Sequence, residues 1–276
     1  MARIKVVTDS ACDLPTALAE RAGIEVVPLT IRFGDDEFND LSPESFWAKC
    51  RASKTLPETA APSPGAFQRA YEAAHDDGYD GVVVVTLSSL LSATHQSATV
   101  AAEAVAGTIE VTVIDTLNVS MGLGLIALEL ADAAAGGAGL SELATHGASL
   151  VQRSGVVATL DTLEHLVKGG RIGGARALLG QVLAIKPLVE LKGGVVAEAG
   201  RQRTRAKALA AVSAAARAKA PLRRFALFHG ACHDVPALEK LVADIESEIP
   251  LVVADVGPVV GTHGGPGIIG LCWIER

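Results

Sequence analysis

The chain has 276 residues, 49% of them hydrophobic, and a formal net charge of −7, which is ample for a packed core of one large or two ordinary domains and argues against a nucleic-acid partner. Its four cysteines, Cys12, Cys50, Cys232 and Cys272, lie far apart without CxxC spacing, implying neither a zinc knuckle nor a disulfide framework and fitting a reducing cytoplasm. The N-terminal residues run directly into a strand pattern rather than a secretory segment, and the longest apolar candidate, 121–138, carries Glu129 and Asp132, so no stable membrane insertion is expected. In chain order, short β-branched runs at 4–7, 24–27, 82–85 and 111–114 alternate with helical patterns at 14–22, 64–76, 92–105 and 122–135. That alternation predicts a doubly wound, mainly parallel sheet. Asp13 before Leu14-Pro15 reads as the first helix's N-cap and Gly23 as its C-cap, and Gly136-Gly137-Ala138-Gly139 separates two later helices. From about Val156 the pattern changes: a hairpin over 188–198 turns at Gly193-Gly194, helices are expected at 175–184, 205–219 and 234–246, and strands at 224–228, 251–256 and 268–273. The expected architecture is α/β with two domains, a doubly wound 1–157 and a mixed 158–276. No coiled-coil pattern is present, so a monomer is expected.

Most familiar motifs are excluded by context. Gly265-Pro266-Gly267-Ile268-Ile269-Gly270 matches GxGxxG, but the six residues after it leave no room for a βαβ unit. Gly122-Leu123-Gly124 opens a helix after a strand, yet no acid-ending strand follows at the right distance. Neither a P-loop nor a GxSxG elbow occurs, and no cofactor is expected. His229-Gly230-Ala231-Cys232-His233-Asp234 holds four candidate ligands, but His229 ends a strand, so the segment reads as a strand-to-helix turn and no metal is expected. Polar loops after strands remain: Thr8-Asp9-Ser10, Thr59 in the proline-rich stretch 57–64, and Ser88 to Thr94, where α/β sheets hold their ligands. Ser92 stands at a helix start, where it either caps the helix or receives an anion together with nearby N–H groups. Along 256–267, His263 is the one titratable side chain among five glycines and two prolines, a composition suited to a head-group loop or to a plain turn.

Thr8 to Pro15, Ser88 to Thr94, Asp115-Thr116 with Ser120-Met121-Gly122, Thr162-Leu163-Glu164-His165-Leu166-Val167-Lys168-Gly169-Gly170-Arg171-Ile172, Lys186-Pro187 and the His263 stretch together resemble the bacterial DegV family, in order and over essentially the whole chain. The resemblance implies a two-domain α/β protein that binds one long-chain fatty acid between its domains. It further implies a non-catalytic subunit of a fatty acid kinase, presenting the carboxylate to a separate ATP-binding subunit. Carried over by position, the carboxylate-binding hydroxyls fall on Thr59 and Ser92, and the C-terminal histidine on His263. The basic residues near the entrance fall on Arg171 and Arg203, expected to meet the transferring phosphate or the partner outside the acyl tunnel. Two stretches depart from the family pattern. Ala60 and Ala61 stand where many members have Ser and Gln, and Ala93 puts a methyl beside Ser92 at the carboxylate end. Two other functions stay open at this point: a small hydrolase or transferase with Ser92 as nucleophile and His263 as base, for which the sequence fixes no acidic third member although Asp9 is a candidate, and a lipid carrier or sensor that meets no kinase.

Overall fold

The computed structural model describes residues 2–178 and 185–276. Four parallel strands form the first sheet, in the order β2 (Glu25–Val27), β1 (Ile4–Asp9), β6 (Gly81–Thr86), β7 (Glu110–Asp115). The Val82-Val83-Val84-Val85 run is buried throughout because both faces of β6 are covered. Val82 and Val84 pack with Phe67 and Tyr71 of α3 (Pro64–Asp76) and with α4 (Thr94–Ala104), while Val83 and Val85 face the core around α5 (Met121–Ala135). The expected α/β class and parallel order are present.

A six-stranded mixed sheet follows, ordered β10 (Val195–Gln202), β9 (Lys186–Lys192), β8 (Ser154–Thr159), β13 (Ile269–Glu275), β11 (Leu222–His229), β12 (Leu251–Asp255). The β9–β10 hairpin turns at Gly193 and Gly194, both at positive φ, as a two-residue loop of the favoured hand demands. The division expected between 157 and 158 falls inside β8. Helix α5 is apolar on all sides and touches both sheets. Its one buried acid, Glu129, is paired with Arg223 and Arg224 of β11. Helix α6 (Leu140–Arg153) packs beside it, and α8 (Arg205–Arg217) and α9 (Val235–Val242) flank the second sheet.

Several elements differ from the sequence reading. Helix α1 is Thr16–Arg21 and its cap is Pro15, not Asp13; a residue before proline avoids helical backbone, so the helix cannot begin earlier. Asp13 instead adopts φ 52 and accepts hydrogen bonds from Ser120 Oγ and the Gly257 amide. Between the first two helical patterns lies an unexpected flap, in which β3 (Thr30–Phe33) pairs antiparallel with β4 (Asp36–Phe38) and β5 (Glu58–Ala60), backed by α2 (Pro43–Ala52). A short α7 (Glu164–Lys168) follows β8, and residues 258–264 form helix α10 (Pro258–Gly264) rather than a loop. Of the helix expected at 175–184, the described part belongs to a 3-10 turn, Gly173–Leu178; residues 179–184 lie outside the described residues.

Candidate functional site

A cavity of about 100 Å³ lies among the loops at the C-terminal ends of the parallel strands, the flap, the inner face of the second sheet and α10. Its walls are aliphatic and aromatic: Leu29 and Leu87 from the first half, Val156, Ala158, Val189 and Phe228 from the second sheet, and Val259 and Val260 from α10. The polar side chains on the wall include Thr59, Ser92, Ser120, Arg171 and His263.

Thr59 and His263 meet directly. Thr59 sits on β5 opposite Ile31, and its Oγ1 lies 2.9 Å from Nε2 of His263 on the last turn of α10. Proline at the first turn of α10 and Gly265 at φ 74 after it define this helix: proline's fixed φ suits a first turn, and glycine takes a positive φ without a Cβ clash. Glycines inside it are tolerated because the neighbours come too close for side chains: a Cβ at Gly261 would fall 2.6 Å from the Phe46 ring. Burial, followed by the nearby Arg171 and His165, lowers the His263 pKa to about 4. The ring is therefore neutral near pH 7. Its Nδ1 is buried without a hydrogen-bond partner among the described residues and faces Gly169, where a Cβ would fall 2.4 Å away.

The Ser92 hydroxyl lies 2.8 Å from Thr94 Oγ1, so it sits just ahead of α4 and turns back on the helix start. Arg171 donates from Nε to the Leu91 carbonyl and from Nη1 to that of Gly169, tying the Ser92 loop to the segment below His263. Expected outside the apolar space, Arg171 instead lines both the cavity and an outer cleft of about 350 Å³ that also holds Thr59, His263, His165 and Lys168. Arg203 is exposed after β10 and lines neither space, and Ala93 is exposed at the α4 cap. Asp9 is buried and its carboxylate accepts the amides of Ala11 and Leu87, so it is committed to the β1 loop. The sequence reading missed Ser120 and His165. The signal available for Ser120 is its place in the Ser120-Met121-Gly122 motif, and that for His165 its position within the glycine-ended segment that also carries Arg171.

His229 to Asp234 forms a turn, and no cluster of metal-ligating side chains occurs among the described residues. Among them, too, no helix is long and apolar enough to cross a membrane.

Comparison with known proteins adds to this geometry. The sequence model of the DegV family matches residues 3–276. A DegV domain-containing protein of Streptomyces coelicolor is 37% identical over 280 residues, 99% of each chain, and one from Deinococcus radiodurans is 34% identical over 97% of each. A fatty-acid-binding DegV family protein from Thermus thermophilus is 35% identical, with a TM-score of 0.90 over 99% of this chain and 100% of its own. DegV from Bacillus subtilis, a fatty acid binding protein, has the same TM-score at 26% identity, with 100% of both chains covered.

Proposed function

This chain belongs to the DegV family, and from that membership we propose that it binds one long-chain fatty acid and presents the carboxylate to a separate ATP-binding kinase subunit. The observation that carries the reading is the apolar cavity ending in the Thr59–His263 hydrogen bond. A tail of about sixteen carbons gains on the order of 12 kcal/mol gross at ~0.8 kcal/mol per buried CH₂, against which the costs of association are set. The polar end then has only to hold the carboxylate without a desolvation loss. A neutral His263 donating from Nε2 to Thr59 Oγ1 leaves the threonine hydroxyl hydrogen for the carboxylate, and Ser92 offers a second hydroxyl.

Neutral donors keep the carboxylate oxygens nucleophilic, whereas a bidentate guanidinium would quench them. In the proposed reaction a carboxylate oxygen attacks the γ-phosphorus of ATP, the bond to the bridging oxygen breaks, and ADP leaves with acyl phosphate as the other product. Arg171, between the cavity and the outer cleft, supplies positive charge along that route. On this reading the chain is not itself an ATP-hydrolysing enzyme, and it works in the cytoplasm.

The independent hydrolase is the weaker reading. Ser92 is hydrogen bonded to Thr94 and His263 Nε2 to Thr59, so the serine–histidine contact that nucleophile activation requires is not made. Denaturing extraction of the purified protein followed by lipid mass spectrometry tests the binding. Stoichiometric release of a long-chain acid is expected, and a protein that neither releases nor takes up one overturns the proposal. Acyl phosphate formation only when ATP and the kinase subunit are both added separates the kinase role from that of a carrier or sensor.

A further inference from the structure

The two partners of the head-group hydrogen bond belong to different bodies. Thr59 lies on the flap and His263 on α10, so the bond spans two separately packed elements. The flap's helix, α2, turns two aromatic side chains inward: Phe46 is fully buried and Trp47 is 7% exposed. Their ring centroids are 4.8 Å apart at 66°, and Phe46 also lies 6.1 Å from Phe33 of β3. Since β3 pairs directly with β5, the aromatic pair and Thr59 form one unit.

Opposite these rings the chain has glycine. A Cβ at Gly230 would stand 2.5 Å from Trp47 Cζ2, and one at Gly261 would stand 3.0 Å from the same ring. Gly261 lies two residues before His263. Gly230 is tied by backbone hydrogen bonds to Gly267 and Ile268, just beyond α10. The indole is therefore seated between the middle of α10, at Gly261, and the turn after β11, at Gly230, which is bonded to the chain just beyond α10. Its Nε1 is buried with no hydrogen-bond partner among the described residues, a feature that costs stability, so the ring serves here by its shape and not by its N–H group.

We propose that Trp47 is a positioning residue of the carboxylate site, its indole seated between Gly230 and Gly261 so that Thr59 and His263 stay within hydrogen-bond distance. The inference takes that pair as the carboxylate's partners and so rests on the fatty acid reading, but its first readout does not. In protein labelled with ¹⁵N-histidine, the His263 Nε2 resonance, assigned by its loss in His263→Asn, reports the bond, and Thr59→Val gives the position of the broken pair. Trp47→Ala is expected to move the resonance toward that of Thr59→Val, Trp47→Phe to restore it in large part, and Gly261→Ala, which pushes the rings out from the other side, to reproduce the shift. Palmitate dissociation should quicken about tenfold in Trp47→Ala and Gly261→Ala, a loss of about 1.4 kcal/mol.

An unchanged His263 resonance with a lowered melting temperature would make Trp47 a packing residue only and overturn the proposal. Should Trp47→Ala fail to fold, Gly261→Ala decides by the same resonance. A wild-type protein that binds no palmitate sinks the fatty acid reading, while the resonance still decides the role of Trp47.

Discussion

His263 is kept neutral by burial and by the positive charge of Arg171, and Asp9 and Asp13 are pushed the other way by the same lack of water. Burial raises both aspartates to about 7, against hydrogen bonds that lower them. The signs oppose each other. The histidine's folded value, about 4, is below its ordinary 6.5, so its contribution to stability is present above pH 6.5 and is lost as pH falls through 4. The aspartates' folded value is above their ordinary 3.8, so their contribution is present below pH 3.8 and is lost as pH rises through 7. Asp13→Asn keeps an acceptor for the Gly257 amide and offers an N–H to Ser120 Oγ. Its melting temperature, measured from pH 4 to 8, should therefore decline less with rising pH than that of wild type; an identical slope would remove Asp13 from this account. On the proposed function, Thr59→Val leaves a buried carboxylate short of a donor and should weaken fatty acid binding by about 1–3 kcal/mol in a displacement titration.

At the scale of elements, α5 and α10 show how packing redirects local preference. A helix as apolar as α5 belongs in the interior, and it lies between the two sheets with Glu129 only 3% exposed. Arg223 and Arg224 of β11 neutralise that acid, although Arg223 itself is half exposed. Glu129→Ala leaves both cations without their buried partner. Because solvent reaches them, the loss should be smaller than for a sealed pair, about 2 kcal/mol. Differential scanning calorimetry should register this as a fall of roughly 2–4 °C per kcal/mol; no change in midpoint would mean that the helix is held by apolar packing alone. Helix α10 reads as a loop by composition, yet Val259 and Val260 are buried and the glycine at Gly261 admits the Phe46 and Trp47 rings.

At the scale of the whole molecule, the two arginines expected to act together are separated by the fold. Arg171 is hydrogen bonded under the Ser92 loop and lines the cavity, whereas Arg203 is exposed beyond β10. With a kinase subunit present, Arg203→Ala should keep its bound fatty acid and lose turnover, and the loss should shrink at high salt, where a rim contact is already screened. Arg171→Ala should alter lipid retention as well as turnover. Comparing lipid content and turnover for both variants at low and high salt checks the division, and an Arg203 variant that sheds its lipid would contradict it.

The sequence by itself determined the class of fold, because the information is local: the valine run of β6, the Gly193-Gly194 turn and the alternation of strand and helix patterns each depend on neighbours within a few residues. Ordered motifs such as Thr162 to Ile172 also identified the family, and they marked Thr59, Ser92 and His263 one by one. Their relation was not legible, since Thr59 and His263 are 204 residues apart and no local pattern specifies that they touch. Nor could composition foresee α10 as a helix, Asp13 as a clamp rather than a cap, or Arg171 on the cavity wall. Those outcomes depend on which surfaces exclude water from one another and on which backbone groups are left to be hydrogen bonded once the two sheets and the flap have packed. Only the tertiary structure supplies both.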